Sequence, residues 1–133
     1  MAKLQRKILL VDDASEDRAI IKHYLLQDPA CDYFIWEEES VENALATYQR
    51  VRPDCLLLDY TLPDGDGLQF FTHFSEHMRE QAPAVVMLTG TGNEVVAVEA
   101  MKRGVQDYLH KDALSRERLW HAIVNAVEKA TLR

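Results

Sequence analysis

The sequence alternates between short aliphatic or β-branched runs and longer segments whose apolar residues recur every three or four positions. The short runs cover residues 7–11, 33–37, 54–58, 84–88 and 107–110. Runs of this length that are apolar on both faces are typical of buried parallel strands. Strands that alternate with helices build βαβ units. The pattern therefore predicts an α/β fold, an open doubly wound sheet of five parallel strands flanked by five helices.

Capping and helix-breaking residues mark where these helices begin and end. Ser15 and Ser40 are predicted N-caps, and Pro53 is predicted to end the second helix. Gly104 is predicted to end the fourth helix, and the last helix is predicted to begin at Ser115. The third helix is predicted from the spacing of Leu68, Phe71, Phe74 and Met78.

Length and charge limit the function classes. The 133 residues match one domain of ordinary size, so we expect a single domain over residues 1–133 with a packed core from about 7 to 127. The net charge of −7 disfavours direct binding to nucleic acid or to anionic lipid. The sequence has no signal-peptide pattern and no apolar run near the ~20 residues of a membrane helix. A cytoplasmic protein is therefore expected, with Cys55 as a buried, reduced thiol.

Polar side chains follow the predicted strands at the points where the strands end. Asp12 and Asp13 follow the first strand, Asp59 the third, Thr89 the fourth and Lys111 the fifth. Because the carboxyl ends of parallel strands share one edge of the sheet, these groups are expected to converge. Three carboxylates in one place repel each other unless a cation neutralises them. Hard oxygen donors beside room for phosphate oxygens favour Mg²⁺ over a Ca²⁺ cage.

Each of these residues also has an ordinary structural explanation. A single aspartate at a strand end is usually a helix cap or a turn former, a threonine there is often a cap, and a lysine is often a solvated charge. The occurrence of all five complementary groups at one edge favours a site. A lysine and a hydroxyl opposite the metal would complete a cradle for a tetrahedral anion.

The same residues belong to a larger set of motifs. The set comprises Asp12-Asp13, Asp59 followed by Leu62-Pro63 and Asp66-Gly67, Thr89-Gly90, Gly104, Asp107-Tyr108-Leu109 and Lys111. With these motifs, the sequence from about Lys7 to about Val127 resembles the receiver domains of two-component response regulators, including the single-domain chemotaxis regulators. The resemblance implies a flavodoxin-like sheet with strand order 2-1-3-4-5.

The resemblance also implies roles for the acidic residues. Asp59 matches the phospho-acceptor, which takes a phosphoryl group from a phosphohistidine of a histidine kinase or a histidine phosphotransfer protein. Asp13 and Asp59 would bind Mg²⁺ directly, Asp12 would bind it through water, and the backbone carbonyl of Thr61 would supply a further ligand. Such a domain catalyses only its own phosphorylation and dephosphorylation and is not a turnover enzyme.

The remaining motif residues match a conformational switch. Lys111 would pair with the phosphoryl oxygens, Thr89 would donate its hydroxyl to one of them, and Tyr108 would be the aromatic switch. The face formed by the fourth helix, the fifth strand and the last helix would then dock a downstream protein target. A homodimer is a further partner that the resemblance leaves open. A stand-alone regulator, a relay intermediate and the receiver of a longer kinase or effector all remain open.

One position departs from the family pattern. Receiver domains usually have a proline joined by a cis peptide bond after the lysine, whereas here Asp112 follows Lys111. Because a non-proline cis bond costs ~2.5–4 kcal/mol, we expect this bond to be trans.

Two other classes of protein share parts of the pattern. Residues 89–94 look like the phosphate loop of a flavin-binding electron carrier, but that loop follows the first strand in flavodoxins and the fourth strand here. Phosphatases of the dehalogenase type also use an aspartate nucleophile with Mg²⁺, but they need a second aspartate where this sequence has Thr61. Both classes are therefore disfavoured.

Overall fold

The computed structural model describes residues 3–77, 83–90 and 94–131. The strands are β1 (Leu4–Val11), β2 (Cys31–Glu38), β3 (Cys55–Asp59), β4 (Thr61–Leu62), β5 (Gly65–Asp66), β6 (Ala84–Thr89) and β7 (Asp107–His110). The helices are α1 (Ser15–Leu26), α2 (Val41–Val51), α3 (Gly67–His77), α4 (Glu94–Lys102) and α5 (Arg116–Thr131), with a short 3₁₀ turn over Lys111–Ala113.

The main sheet has the order β2-β1-β3-β6-β7, and every neighbouring pair of strands is parallel. The two-residue strands β4 and β5 form a separate antiparallel hairpin. When the main strands alone are counted, the order is the predicted 2-1-3-4-5. The prediction of a five-stranded parallel sheet is confirmed, and the sheet is flanked by five helices.

Both faces of the sheet are covered, which explains why its central strands are apolar at successive positions. Ile8 and Leu10 of β1 pack into a core shared with α1 and α5. Leu9 and Val11 pack into the opposite core, which is shared with α2, α3 and α4. All four side chains are fully buried, and each contributes about 1.5–3 kcal/mol by leaving water. The two cores fix the central strands, and with them the residues at the carboxyl ends of those strands.

The helix starts agree with the sequence in one case and differ in another. Ser40 caps α2 as predicted, since its Oγ accepts a hydrogen bond from the Asn43 amide at 3.2 Å. The prediction that Ser15 caps α1 is wrong: Ala14 is the N-cap and Ser15 is the first helical residue. In the turn before the helix, the Asp12 carboxylate accepts the Ala14 amide at 2.9 Å, which satisfies the amide of the N-cap residue itself.

The predicted helix ends are found where backbone chemistry requires them. Arg52 is the C-cap of α2, has left-handed backbone geometry at φ 54° and directly precedes Pro53. A proline disfavours helical geometry at the residue before it. Gly104 follows α4 at φ 107°, which a glycine adopts without a steric penalty. The predicted last apolar position of the third helix, Met78, lies outside the described residues.

Two further observations concern cysteines and membranes. Cys31 and Cys55 are both buried and free of disulfide bonds, as expected for Cys55. In the part of the chain that the structure describes, no helix combines the length and apolarity needed to cross a membrane.

Candidate functional site

The carboxyl edge of the main sheet brings the predicted acidic residues together. Asp12 follows β1 and Asp59 ends β3, and both are buried, at 0% and 5% exposure. Asp13 is exposed beside them. One carboxylate oxygen from each of the three residues lies within 4.8 Å of the other two. These three residues, which we call the acidic cluster, therefore form one group at one edge, as the strand ends predict.

The Lys111 side chain contacts two residues of the acidic cluster. Its Nζ is 2.7 Å from Asp12 Oδ2 and 3.0 Å from Asp59 Oδ2. The peptide bond to Asp112 is trans, as predicted, since no described residue has a cis bond, and the chain enters a 3₁₀ turn at Lys111. The missing proline therefore does not keep the ammonium from the site.

Burial and the charges of the site shift the pKa values of both Lys111 and Asp59. Burial lowers the pKa of Lys111, but the neighbouring carboxylates raise it by more, so the pKa stays above its ordinary value. The pKa of Asp59 is raised to about 6: burial is the largest cause, the charge of Asp12 adds to the rise, and the Lys111 ammonium opposes it. At neutral pH Asp59 is therefore ionised at a free-energy cost, which a bound cation would reduce.

The donor set fits a hard divalent cation. Asp12 Oδ2 is buried and accepts no hydrogen bond of good geometry from any described residue, although the Lys111 ammonium is near it. Among the described residues, this buried oxygen is paired with the Lys111 charge but keeps hydrogen-bonding capacity that a ligand or an ion can use. Three carboxylates that offer only oxygen atoms match the preference of Mg²⁺. The residues present could therefore hold the predicted metal.

The loop after β3 is held close to the Asp59 backbone. The Thr61 amide donates to Asp59 Oδ1 at 3.3 Å, and the Gly67 amide donates to the Tyr60 carbonyl at 2.6 Å. A Cβ atom on Gly67 would lie only 2.4 Å from the carbonyl oxygen of Asp59. Glycine is therefore required where α3 begins, which gives a physical reason for the Asp66-Gly67 motif.

Thr89 and Tyr108 lie on the adjacent strands β6 and β7. Thr89 is buried, and its hydroxyl makes two long contacts to β7, at 3.5 Å to the Leu109 carbonyl and 3.4 Å to His110 Nδ1. The half-buried Tyr108 ring lies edge-on to the His110 ring, with 5.7 Å between centroids. The two residues stand on adjacent strands as the sequence predicts, and their role as a switch stays a prediction.

Sequence reasoning missed two residues of α1 that complete the site. Asp17 Oδ2 lies 2.9 Å from Lys111 Nζ. Arg18 donates to the Asp12 backbone carbonyl at 2.7 Å and pairs with Glu37 of β2 at 3.0 Å, which ties the loop carrying Asp12 and Asp13 to β2. Because α1 starts three positions after Asp12, polar residues in its first turn lie near the same edge of the sheet, and that proximity was the available signal.

The raised pKa of Asp59 predicts a pH-dependent stability difference for Asp59→Asn. The folded state binds the Asp59 proton more tightly than the unfolded state, so wild-type stability falls as the pH rises from about 4 to about 6. Above that range, without divalent cations, we expect the variant to be more stable by about 2–3 kcal/mol, since the pKa of Asp59 moves from about 4 to about 6 and each pKa unit corresponds to about 1.4 kcal/mol. Near pH 4 the difference should fall below about 1 kcal/mol.

Urea unfolding of both proteins at pH 4 and pH 7 measures this difference. The control is Asp32→Asn, which neutralises a half-exposed carboxylate on β2 whose partner is Lys3 at 3.6 Å. Such a surface change is expected to alter stability by less than about 0.5 kcal/mol. An Asp59→Asn protein that is less stable than wild type at pH 7 would contradict the proposed burial cost.

Comparison with known sequences agrees with this geometry. The family model described as the response regulator receiver domain matches residues 8–124. Transcriptional regulatory protein SrrA of Staphylococcus aureus is 34% identical over 114 residues, which cover 86% of this chain and 45% of the relative. The chain thus spans less than half the length of the curated relatives it matches.

Solved structures show the same architecture. The receiver domain protein from Clostridium thermocellum superposes with a TM-score of 0.82 and 28% identity, over 95% of this chain and 97% of that one. The receiver domain of NtrX from Brucella abortus superposes with a TM-score of 0.80 and 28% identity, over 91% of this chain and 98% of that one. The fold and the acidic edge therefore point to the same family.

Proposed function

Because this chain belongs to the response regulator receiver domain family, we propose that it is a phosphorylation-dependent switch of a two-component phosphorelay. Domains of this family are signalling modules, and their function implies a histidine kinase partner and a downstream effector. Asp59 accepts the phosphoryl group from a histidine kinase or a histidine phosphotransfer protein. The observation that carries the proposal is the Lys111 ammonium, which lies within 3.0 Å of both Asp12 and Asp59 at the carboxyl edge of the sheet.

The chemistry of the transfer follows from the charges of the site. An Asp59 carboxylate oxygen attacks phosphorus, the P–N bond to the donor histidine breaks, and the imidazole leaves with the bonding electron pair and takes up a proton. Lys111 pairs with the phosphoryl oxygens, and Thr89 donates its hydroxyl to one of them. Positioning and charge neutralisation supply most of the catalysis in phosphoryl transfer.

A divalent cation completes this arrangement. Asp13 and Asp59 would hold Mg²⁺ directly, Asp12 through water, and Thr61 through its backbone carbonyl. When bound, Mg²⁺ neutralises negative charge on the phosphoryl oxygens and on the acidic cluster. The grouping of three carboxylates within 4.8 Å of one another and the raised pKa of Asp59 support this assignment.

Phosphoryl uptake from a small acyl phosphate tests the proposal. The full chain is incubated with the phosphodonor and Mg²⁺, and intact-mass spectrometry should show the addition of one phosphoryl group per molecule. The same incubation with a chelator in place of Mg²⁺ should show none. A wild-type protein whose mass does not change would refute the proposal.

The output surface is proposed to be the face formed by α4, β7 and α5. Three apolar residues of α4 are exposed although they recur on one side of the helix: Val95 at 82%, Val98 at 55% and Met101 at 37%. Exposed apolar side chains grouped on one face are typical of protein docking sites. The acidic net charge likewise supports a protein target over nucleic acid. A second copy of the chain would meet the same face in a homodimer.

The switch that controls this face is proposed to involve Thr89 and Tyr108. When Asp59 is phosphorylated, the Thr89 hydroxyl moves toward the phosphoryl group and Tyr108 turns into the vacated space. We expect beryllofluoride, an acyl-phosphate mimic, to shift backbone amide resonances in α4, β7 and α5 as well as at the acidic edge. The measurement is a pair of ¹H–¹⁵N correlation spectra with and without the mimic.

The control for this measurement is Thr89→Ala, which keeps the acidic cluster but removes the hydroxyl. In this variant the mimic should shift the resonances near Asp59 and leave α5 unchanged. Wild-type spectra with changes confined to the acidic edge would remove the switch while leaving the phosphorylation proposal intact.

A further inference from the structure

The Lys111 ammonium has three carboxylate neighbours, and one of them lies outside the acidic cluster. Its Nζ is 2.7 Å from Asp12, 3.0 Å from Asp59 and 2.9 Å from Asp17. Nζ donates hydrogen bonds to Asp17 and Asp59 and forms an ion pair with Asp12. Asp17 differs from the other two because it belongs to the first turn of α1 and is not one of the clustered acids.

A divalent cation and the ammonium need the same carboxylates. If Asp12 and Asp59 direct their oxygens to a metal, Lys111 loses two of its three neighbours. The Lys111 side chain is only 19% exposed, and a largely buried charge without a partner is costly. The Asp17 carboxylate, at 37% exposure, remains available as the third partner. Asp17 therefore determines how readily the Lys111 ammonium separates from Asp12 and Asp59.

Resting on the function proposed above, we propose that Asp17 is a positioning residue that holds the Lys111 ammonium while Asp12 and Asp59 turn to Mg²⁺. With Asp17 present, the ammonium keeps a charged partner and stays beside the phospho-acceptor. Without it, the ammonium depends wholly on Asp12 and Asp59 and competes with the cation for them. Asp17 thus acts through Lys111 and not as a metal ligand.

A double-mutant cycle on Mg²⁺ affinity tests this role. The dissociation constant is measured by amide chemical-shift titration with MgCl₂ for wild type, Asp17→Asn, Lys111→Met and the double variant. Asp17→Asn is expected to weaken Mg²⁺ binding by about three- to tenfold, the size of a partly exposed ion pair. In the Lys111→Met background the same change should weaken binding by less than about twofold, because the residue through which Asp17 acts is gone.

Glu16→Gln is the matched control, since Glu16 is an exposed acid in the same first turn of α1. It removes the same charge and should change the affinity by less than about twofold. Far-ultraviolet circular dichroism verifies the fold of each variant. If Asp17→Asn does not fold, Asp17→Ser gives the same cycle with a residue that is favoured near helix N-termini.

The outcomes separate this inference from the function on which it rests. Equal weakening with and without Lys111, equal weakening by Glu16→Gln, or an unchanged affinity in Asp17→Asn would each overturn the role of Asp17. The proposed function would survive all three results. A wild-type protein that binds no Mg²⁺ would overturn the metal-dependent step itself, and the role of Asp17 with it.

Discussion

Asp59→Asn is expected to abolish phosphoryl uptake and leave the fold intact. The amide has nearly the same shape as the carboxylate, but it lacks the anionic oxygen that attacks phosphorus. Loss of a nucleophile is expected to reduce the rate by at least about 1,000-fold, as it does in enzymes with covalent intermediates. Because the side chain of Asp59 is buried and its ionisation costs free energy, the variant should fold at least as well as wild type.

The measurement is intact-mass spectrometry after incubation with a small acyl phosphate and Mg²⁺. The matched control is Asp32→Asn, which removes a carboxylate from β2 that pairs with Lys3 at the surface and should leave uptake at the wild-type level. Uptake by Asp59→Asn at the wild-type rate would show that another residue is the acceptor, and the site would have to be reassigned.

Gly67→Ala is expected to destabilise the protein and to disturb the acceptor at the same time. The added methyl group would start 2.4 Å from the carbonyl oxygen of Asp59 and 3.1 Å from the Tyr60 Cα atom. Both atoms belong to the backbone, so no side-chain rotation relieves the clash. Forced shifts of this kind cost about 1–3 kcal/mol. Since the displaced backbone carries Asp59, phosphoryl uptake should slow as well.

Urea unfolding gives the stability change, and Gly90→Ala provides the comparison. Gly90 also lies at the carboxyl edge of the sheet, but a Cβ atom there would meet nothing within 4 Å. Its replacement should alter stability by no more than about 0.5 kcal/mol. If Gly67→Ala were as stable as Gly90→Ala, the close approach of α3 to the Asp59 backbone would not be a constraint on this fold.

The sequence predicted the main sheet because its signals are local. Five apolar runs of strand length became the five parallel strands, and β7 has the predicted bounds of Asp107–His110. Other boundaries moved: β1 begins at Leu4, three positions before the apolar run, because its first residues pair with β2 from Cys31 onward. Pairing with a neighbouring strand can extend an element beyond its own hydrophobic pattern.

Contacts between segments that are distant along the chain could not be predicted from the sequence. Asp64 lies in the turn after β4, where an aspartate is usually a turn former. In the structure its carboxylate accepts the amides of Val41 at 2.9 Å and Glu42 at 3.1 Å and so caps α2. The contact of this loop with α2 cannot be seen in the spacing of either segment. A cap supplied across 23 positions of sequence requires the folded chain to bring the two segments together.

For this protein, the sequence alone determined which residues stand at the strand ends. Parallel strands all run in one direction, so any parallel sheet built from these apolar runs places Asp12, Asp59 and Lys111 at the same edge. The tertiary structure alone decided which partners those residues have. Asp17 and Lys111 are 94 positions apart and meet at 2.9 Å. Ion pairing depends on such distances to within about an ångström, and only the packing of helices against both faces of the sheet sets them.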